Sequence, residues 1–466
     1  MSWTRILVLL SALPFASCDA LFPSAPSPDN CVLNPTICDT SLGQYCDTGS
    51  KRCSGGGSCS AIAQCMMPTA VQCLSGACVP CDADTQCRVW STERKVDPAL
   101  GYCYKPTGAP GGTCGRCAQN AHCTTDPSKS FCDTTTLTCR GCLSHSECDS
   151  AAGAGDGICR RPGDAPAGLG VTGQCIASSM VAFLGNNPAG CETNSANPST
   201  AAKPYCTLAV AIASGKPVIK VLPSATPYPA IAVTTQTVTL VGPGRSASPG
   251  ATFPSVDLNG SGTLTLSDVT VAATAGIAVQ CRAGGTLNVI ASNITHTGGK
   301  GIDGNDCKML TVERTRISTP GDTAILAGAM ANTVYRIVNS LIIDSARAGS
   351  MHPVRLGSNA SGVFNYNTIT RCSGSVDCGN RLPLSNSVLV QNGAMPNGCD
   401  VATSVVEDAA AVLGTGSEPK LQSGQDAVRL CIDLGEQPSA NDVQTDYFGN
   451  PRPKGKAWDK GYHELQ

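Results

Sequence analysis

The stretch TLTLSDV, residues 263–269, is followed by TLNVIASNI at 286–294. Both alternate Thr or Asn with aliphatic residues, and both end on a small polar residue, a second polar residue and an aliphatic one. The same three-residue word returns as Thr315-Arg316-Ile317, Asn339-Ser340-Leu341, Asn367-Thr368-Ile369 and Asn386-Ser387-Val388. From Val269 to Val388 the aliphatic anchors are spaced 25, 23, 24, 28 and 19 residues apart. A short strand word recurring about every 24 residues is the signature of a solenoid.

Strand geometry gives the repeat its physical meaning. Three short strands and three turns use about that many residues, and stacked parallel strands lie ~4.8 Å apart. Equivalent positions of successive coils should therefore form columns. Val269, Ile294, Ile317, Leu341, Ile369 and Val388 are expected to form an interior aliphatic column. Ser267, Ser292, Thr315, Asn339, Asn367 and Asn386 are expected to form a polar ladder, and the residue between the two to face solvent. Other alternating runs, VIKVL at 218–222, AIAV at 230–233 and TVTLV at 237–241, extend the β pattern toward the N-terminus. CTLAVAIASGK, beginning at Cys206, reads as one short helix.

PYCTLAVAIASGKPVIKVLPSATPY followed by VTTQTVTLVGPG resembles the opening of bacterial secreted right-handed parallel β-helix proteins of the pectin-lyase-like type. The C-terminal TDYFGNPRPKGKAWDKGYHEL is similar to the closing segment of such proteins. That match is carried by Asp446, Gly449, Pro451, Arg452, Pro453, Asp459, Gly461 and Glu464. The resemblance covers about 190–466 and implies an all-β, right-handed parallel β-helix. It also raises the question of polysaccharide cleavage, since pectate lyases and polygalacturonases share the fold. Those enzymes need clustered acids, calcium or a basic residue on one face. The weak catalytic candidates are Asp303, Asp306 and Asp322, with Arg347 placed to reach Asp322 from the next coil. The GHG and RIK words of polygalacturonases are absent. His296 has no acid at a useful spacing and reads as a lone surface histidine. Tyr335, Phe364, Tyr366 and Trp458 are the scattered aromatics that offer candidate sugar platforms.

The N-terminal part reads differently. The first 20 residues, MSWTRILVLLSALPFASCDA, have a basic start, a short apolar centre and small residues at a cleavage zone, as in a secretory signal. FASC resembles a lipobox with Phe in place of the usual Leu, so Cys18 is a candidate lipidation site; cleavage after Ala20 is the other reading. Either route removes Cys18 from the 29 cysteines and leaves an even number. The expected organisation is a signal at 1–18, a Pro/Ser-rich tether at 19–30, disulfide-rich repeats at 31–175 and the β-helix at 190–466.

Twenty cysteines between Cys31 and Cys175 fall into five groups of four, with five or six residues between the first two of each. Three CxxC pairs, Cys78–Cys81, Cys114–Cys117 and Cys139–Cys142, would suggest zinc or redox chemistry in a cytosolic chain. Here each spans the seam between two groups, and the chain has only five histidines. Structural disulfides, with no metal and no cofactor, are the expectation. A unit of about 25 residues cannot bury enough apolar surface to offset its chain entropy. Two cross-links, each contributing roughly 2–4 kcal/mol, supply the difference. Connectivity within a group stays open among three pairings. In the solenoid, Cys281 with Cys307 follows from equivalent offsets on neighbouring coils. Cys191–Cys206, Cys372–Cys378 and Cys399–Cys431 are the further expected pairs.

Composition narrows the partners. With 14% charged residues and a net charge of −2, there is no basic excess for a phosphate backbone, so nucleic acid is not expected. No apolar run after the signal is long enough to span a bilayer, so membrane attachment would be through a lipid anchor only. The expected function is a secreted or surface-anchored, non-catalytic protein binding polysaccharide or another cell-surface component. The alternative is a polysaccharide lyase or glycoside hydrolase.

Overall fold

The computed structural model describes strands at 44–47 and 52–55, most of residues 59–407, and short pieces at 413, 419–421, 446–448 and 459–463. The signal, the tether, Cys18, Arg347, Cys431 and Trp458 lie outside the described residues. The chain divides into two compact units, one ending at Gly141 and one beginning at Cys142.

The first unit consists of small disulfide modules. Cys59 bonds to Cys73 and Cys65 to Cys78. Cys81 bonds to Cys103 and Cys87 to Cys114, and Cys117 to Cys132 and Cys123 to Cys139. Of the three possible connectivities, first-to-third with second-to-fourth is the one adopted each time. The last two cysteines of each module face one another on a two-stranded antiparallel ribbon, and both are tied back to the preceding loop. The third module inserts a helix, Asp84–Arg94, whose inner face carries Cys87 and Trp90. The Trp90 indole N–H donates to the Cys65 carbonyl at 2.6 Å, joining the second and third modules. In the fourth module the packed cluster consists of cysteines alone.

The second unit opens with a fifth module of the same wiring, Cys142–Cys159 and Cys148–Cys175. It continues into a right-handed parallel β-helix. Three strands per coil form three parallel faces. The first face runs from Val181–Leu184 and Val218–Val221 through Thr237–Val241, Thr263–Ser267, Thr286–Ile290, Met309–Glu313 and Val334–Val338 to Ser361–Asn365. The second runs from Thr252–Phe253 to Val405–Glu407, and the third from Ile231–Val233 to Asn397–Asp400. Alternate residues of every strand point inward, giving one continuous core. A short helix, Leu208–Ala213, packs on the N-terminal end, with Thr207 Oγ1 accepting the Val210 N–H. Cys191–Cys206 closes the loop that leads into it.

The corner between the first and second faces sets the register. In each coil one residue adopts the left-handed backbone there: Asp268, Ala291, Arg314, Asn339, Tyr366 and Asn386. The next residue builds a ladder in which each backbone N–H donates to the side-chain oxygen one coil further on. Ser292, Thr315, Ser340, Asn367, Ser387 and Ser404 accept in turn from Val269, Ser292, Thr315, Ser340, Asn367 and Ser387, at 3.0–3.5 Å. The ladder hydroxyls of Ser292, Thr315, Ser340 and Ser387 donate back to carbonyls at the ends of first-face strands. Buried polar backbone is thereby satisfied where no strand partner exists.

The sequence-based columns need correction at half their positions. The interior column is Val271, Ile294, Ile317, Ile342, Ile369 and Leu389, so Val269, Leu341 and Val388 are not members. The ladder holds Ser340 and Ser387 rather than Asn339 and Asn386, and Ser267 is not in it. Leu341 and Val388 misled because they are apolar and outward-facing, yet covered. Leu341 and Ile343 pack against Tyr447 and Tyr462, while Val388 and Val390 pack with Leu413 and Leu421. These described C-terminal pieces lie over the second face. At Gly461, with φ +89° and its N–H on the Asn386 carbonyl, an added Cβ would strike Thr368 and Val388.

Two expected disulfides are overturned. The structure joins Cys281 to Cys307 and Cys191 to Cys206, but it joins Cys378 to Cys399. Neither Cys372–Cys378 nor Cys399–Cys431 therefore stands. The reason is the stacking: Cys378 and Cys399 sit on neighbouring third-face strands, and Cys307 lies in the turn after the third-face strand that neighbours the one carrying Cys281. Cys372 is buried in a second corner column, where it accepts the Ser345 N–H.

Candidate functional site

Outward-facing charges concentrate on the third face, where Asp257, Gln280, Asp303, Leu326, Arg355 and Asp377 stack in register. Each acid in this column is engaged locally. Asp257 pairs with Arg282 at 2.7 Å, Asp303 with Lys300 at 3.2 Å, and Asp377 with Arg355 at 3.7 Å. Asp303 also accepts the Asn305 N–H at 3.2 Å. Asp306 lies on the loop after that strand, where its carbonyl takes the Gly284 N–H. Asp322 sits in the turn entering the next coil, and its carboxylate accepts the Thr323 N–H at 2.6 Å.

The other sequence candidates are structural. Tyr335, Phe364 and Tyr366 are all buried, so none offers a platform to a sugar. His296 is buried rather than exposed. Its Nδ1 accepts the Gly298 and Gly299 N–H groups, which leaves Nε2–H to donate to the Gly276 carbonyl at 3.0 Å. It closes a turn.

A buried cluster escaped sequence reading. Asp268, at the left-handed corner, receives Arg161 and His145 from the fifth cysteine module. His145 Nδ1 accepts the Cys159 N–H at 3.0 Å, so Nε2 carries the proton that bonds Asp268 at 3.1 Å. Ser267 Oγ adds a further donor at 3.0 Å. Burial alone would raise the Asp268 carboxyl, but Arg161 and His145 outweigh it and hold it well below the usual carboxylate range. Ile158 and Ile176 of the module pack on Val181, Phe183, Val218 and Val241, the outward residues of the first face. Each such side chain fully buried contributes roughly 1.5–3 kcal/mol. Despite its Ser–Asp–His content, the cluster is enclosed and serves as a docking lock. The sulfur groups that lie within 4.8 Å of one another in the second to fifth modules are likewise committed, since every sulfur in them belongs to a disulfide.

Two open surfaces stand out among the described residues. One is a cleft of about 780 Å³ beside the capping helix, lined by residues including Leu184, Leu208, Ile212, Tyr228 and Phe253. Burial pushes the Tyr228 hydroxyl up to about 12, and it donates to the Leu222 carbonyl at 2.7 Å. The other is the leading edge of the first face. There Thr237, Thr263, Thr286, Met309, Val334 and Ser361 stack in register, with Val363 beside them.

These features define a class: an all-β right-handed β-helix solenoid preceded by cysteine-rich, multiply disulfide-bonded modules. Eleven disulfides among the described residues mark an exported or extracellular protein. Residues 255–422 match the family described as right handed beta helix region. No curated protein and no solved structure matches the chain.

Proposed function

We propose that this chain is a non-catalytic bacterial surface protein. It is exported, lipid-anchored through Cys18, and uses its β-helix to bind polysaccharide or another cell-surface component. The observation that carries the reading is the local neutralisation of Asp303 and its column by Lys300, Arg282 and Arg355. An exposed ion-pair ladder of this kind is an ordinary surface feature, worth about 0–1 kcal/mol per pair, and needs no catalytic role to explain it. The test has two arms. Intact mass of the mature protein, with and without reduction, reports acyl chains on Cys18 and the number of cross-links. Incubation with pectic and other acidic glycans, followed by assay for new reducing ends and unsaturated products, reports turnover. Acylation without turnover is expected. Turnover abolished by Asp303→Ala or Asp306→Ala would establish the lyase or hydrolase instead.

A further inference from the structure

The first face begins earlier along the chain than the third. Its strands Val181–Leu184 and Val218–Val221 both precede the third face's first strand, Ile231–Val233. Between those two first-face strands the chain forms the helix Leu208–Ala213 rather than a third-face strand. Ile231–Val233 pairs with Val256–Asn259 on one side and ends its sheet on the other. The cleft of about 780 Å³ lies along that edge. Ala230, Ala232 and Thr234 line one side of it, and Leu208, Ala209 and Ile212 the other.

One hydrogen bond fixes where the edge's backbone groups point. In a parallel ladder, successive residues turn their N–H and C=O groups to opposite sides. The Ile231 N–H donates to the Ser255 carbonyl at 3.0 Å, toward the paired strand. The Ala230 C=O is trans to that N–H across the peptide plane, so it points the other way, into the cleft. So do the N–H and C=O of Ala232. Among the described residues, none of these three groups has a hydrogen-bond partner.

A strand laid parallel to the edge satisfies all three. Its residue opposite Ile231 donates to the Ala230 carbonyl and accepts from the Ala232 N–H. Its residue opposite Val233 donates to the Ala232 carbonyl. Later rungs of the third face pair in this way, as where the Ile302 N–H donates to the Ala324 carbonyl at 2.8 Å. The residues lining the cleft are all uncharged. Asp257, opposite Ala232 on the next rung, is paired with Arg282 at 2.7 Å. Glu192, whose carbonyl takes the Cys206 N–H at the rim, is paired with Lys203 at 2.9 Å. We infer that the cleft takes an extended, uncharged peptide segment of a partner protein as an added rung of the third face. Three residues at ~3.3 Å each need ~10 Å of edge. The segment's two inward side chains are apolar and meet Leu208, Ile212 and Phe253, while the one between them faces outward beside Ala232. The edge decides the class, since a peptide backbone carries donors and acceptors at strand spacing. This site stands apart from the polysaccharide reading above and does not depend on it.

The probes are three fluorescein-labelled peptides, SVTVTS, SLTLTS and SFTFTS, titrated into the full-length protein and followed by fluorescence polarisation. At least one is expected to bind saturably. N-methylation at both apolar residues removes the donors to Ala230 and Ala232 and should weaken binding about tenfold or more. N-methylation at the threonine between them, whose N–H faces away from the edge, should leave binding within about twofold. Two variants test the cleft itself. Ala232→Pro removes the edge donor, and an edge N–H without a partner is a position where proline is tolerated. Ala209→Arg fills the cleft from an exposed position on the helix. Each folded variant should also weaken binding about tenfold. The methylation series uses the unaltered protein, so it decides the matter even where a variant fails to fold. Binding indifferent to methylation at the apolar residues would mean side-chain capture alone and overturn the added rung. Binding unchanged in the folded variants would overturn the site. A dimer in sedimentation that Ala232→Pro dissociates would put a strand of a second copy on the edge and overturn the partner protein. No saturable binding of any of the three peptides overturns the inference outright, while the acylation and turnover assays read the earlier proposal separately.

Discussion

Replacing Asp268 by Asn should loosen the fifth cysteine module from the solenoid. The carboxylate holds Arg161 and His145 in a setting where the Asp268 side chain is 9% exposed and that of Arg161 17%. Removing one partner of a fully buried pair costs about 3–5 kcal/mol. Two features reduce this: Arg161 keeps some solvent contact, and the Asn oxygen still accepts the His145 Nε2–H. A loss of about 2–3 kcal/mol follows, or ~30- to 150-fold in the local opening equilibrium. Hydrogen exchange followed by mass spectrometry reads this directly, because the Cys159 amide bonds to His145 and the Ile176 amide to the Ile158 carbonyl. Both should exchange faster by that factor, while interior solenoid amides do not change. Adding Arg161→Met should restore part of the loss, since the stranded charge is removed. Acceleration of less than ~3-fold at both amides in a folded Asp268→Asn protein would refute the lock.

Further outcomes follow from the same geometry. Ser340→Ala removes an acceptor for the Thr315 N–H and a donor to the Val338 carbonyl, so it should destabilise the solenoid by about 1–3 kcal/mol in urea unfolding. Cys281→Ser with Cys307→Ser opens a loop of sequence separation 26, and chain-entropy arguments give a loss of ~3.5 kcal/mol. Non-reduced peptide mapping should recover Cys378 linked to Cys399, with first-to-third and second-to-fourth links in each module from Cys59 onward. On acidification, Asp268 and Glu192 have folded-state pKa values below their unfolded ones, Glu192 held down to about 2 by Lys203 and the Asn194 N–H. Their contribution is complete above the unfolded carboxyl range of about 4 and is lost as pH falls toward the folded values. Module protection should therefore be flat from pH 8 to 5 and decline below about 4.

The grouping of cysteines in fours and the coil period were legible because both are local, equal-interval signals. Connectivity was not, since spacing does not say which two of four sulfurs share a ribbon. The β-helix register was legible only where outward residues were polar, as at Asn293 and Arg316. At Leu341 and Val388, the C-terminal segment makes outward positions look like core. The Asp268 lock was invisible for another reason: its partners lie 123 and 107 residues away, and Ser267-Asp268 fitted a solvent-facing reading. Of the third-face column, only Asp303 was singled out in the sequence; Asp257, Arg355 and Asp377 join it only through the strand register.

The wiring of the modules bears on how the chain matures. In all four modules from Cys59 to Cys175, no bridge joins consecutive cysteines and none crosses a seam. A polypeptide oxidised in order of emergence from a translocon would first link neighbours, which is the wrong partner every time. Any bridge first formed between neighbours must be exchanged by thiolate attack before the native pairs can close. Because the errors stay inside one quartet, the repair is a short local shuffle, and copies of the quartet can be gained or lost without rewiring the rest.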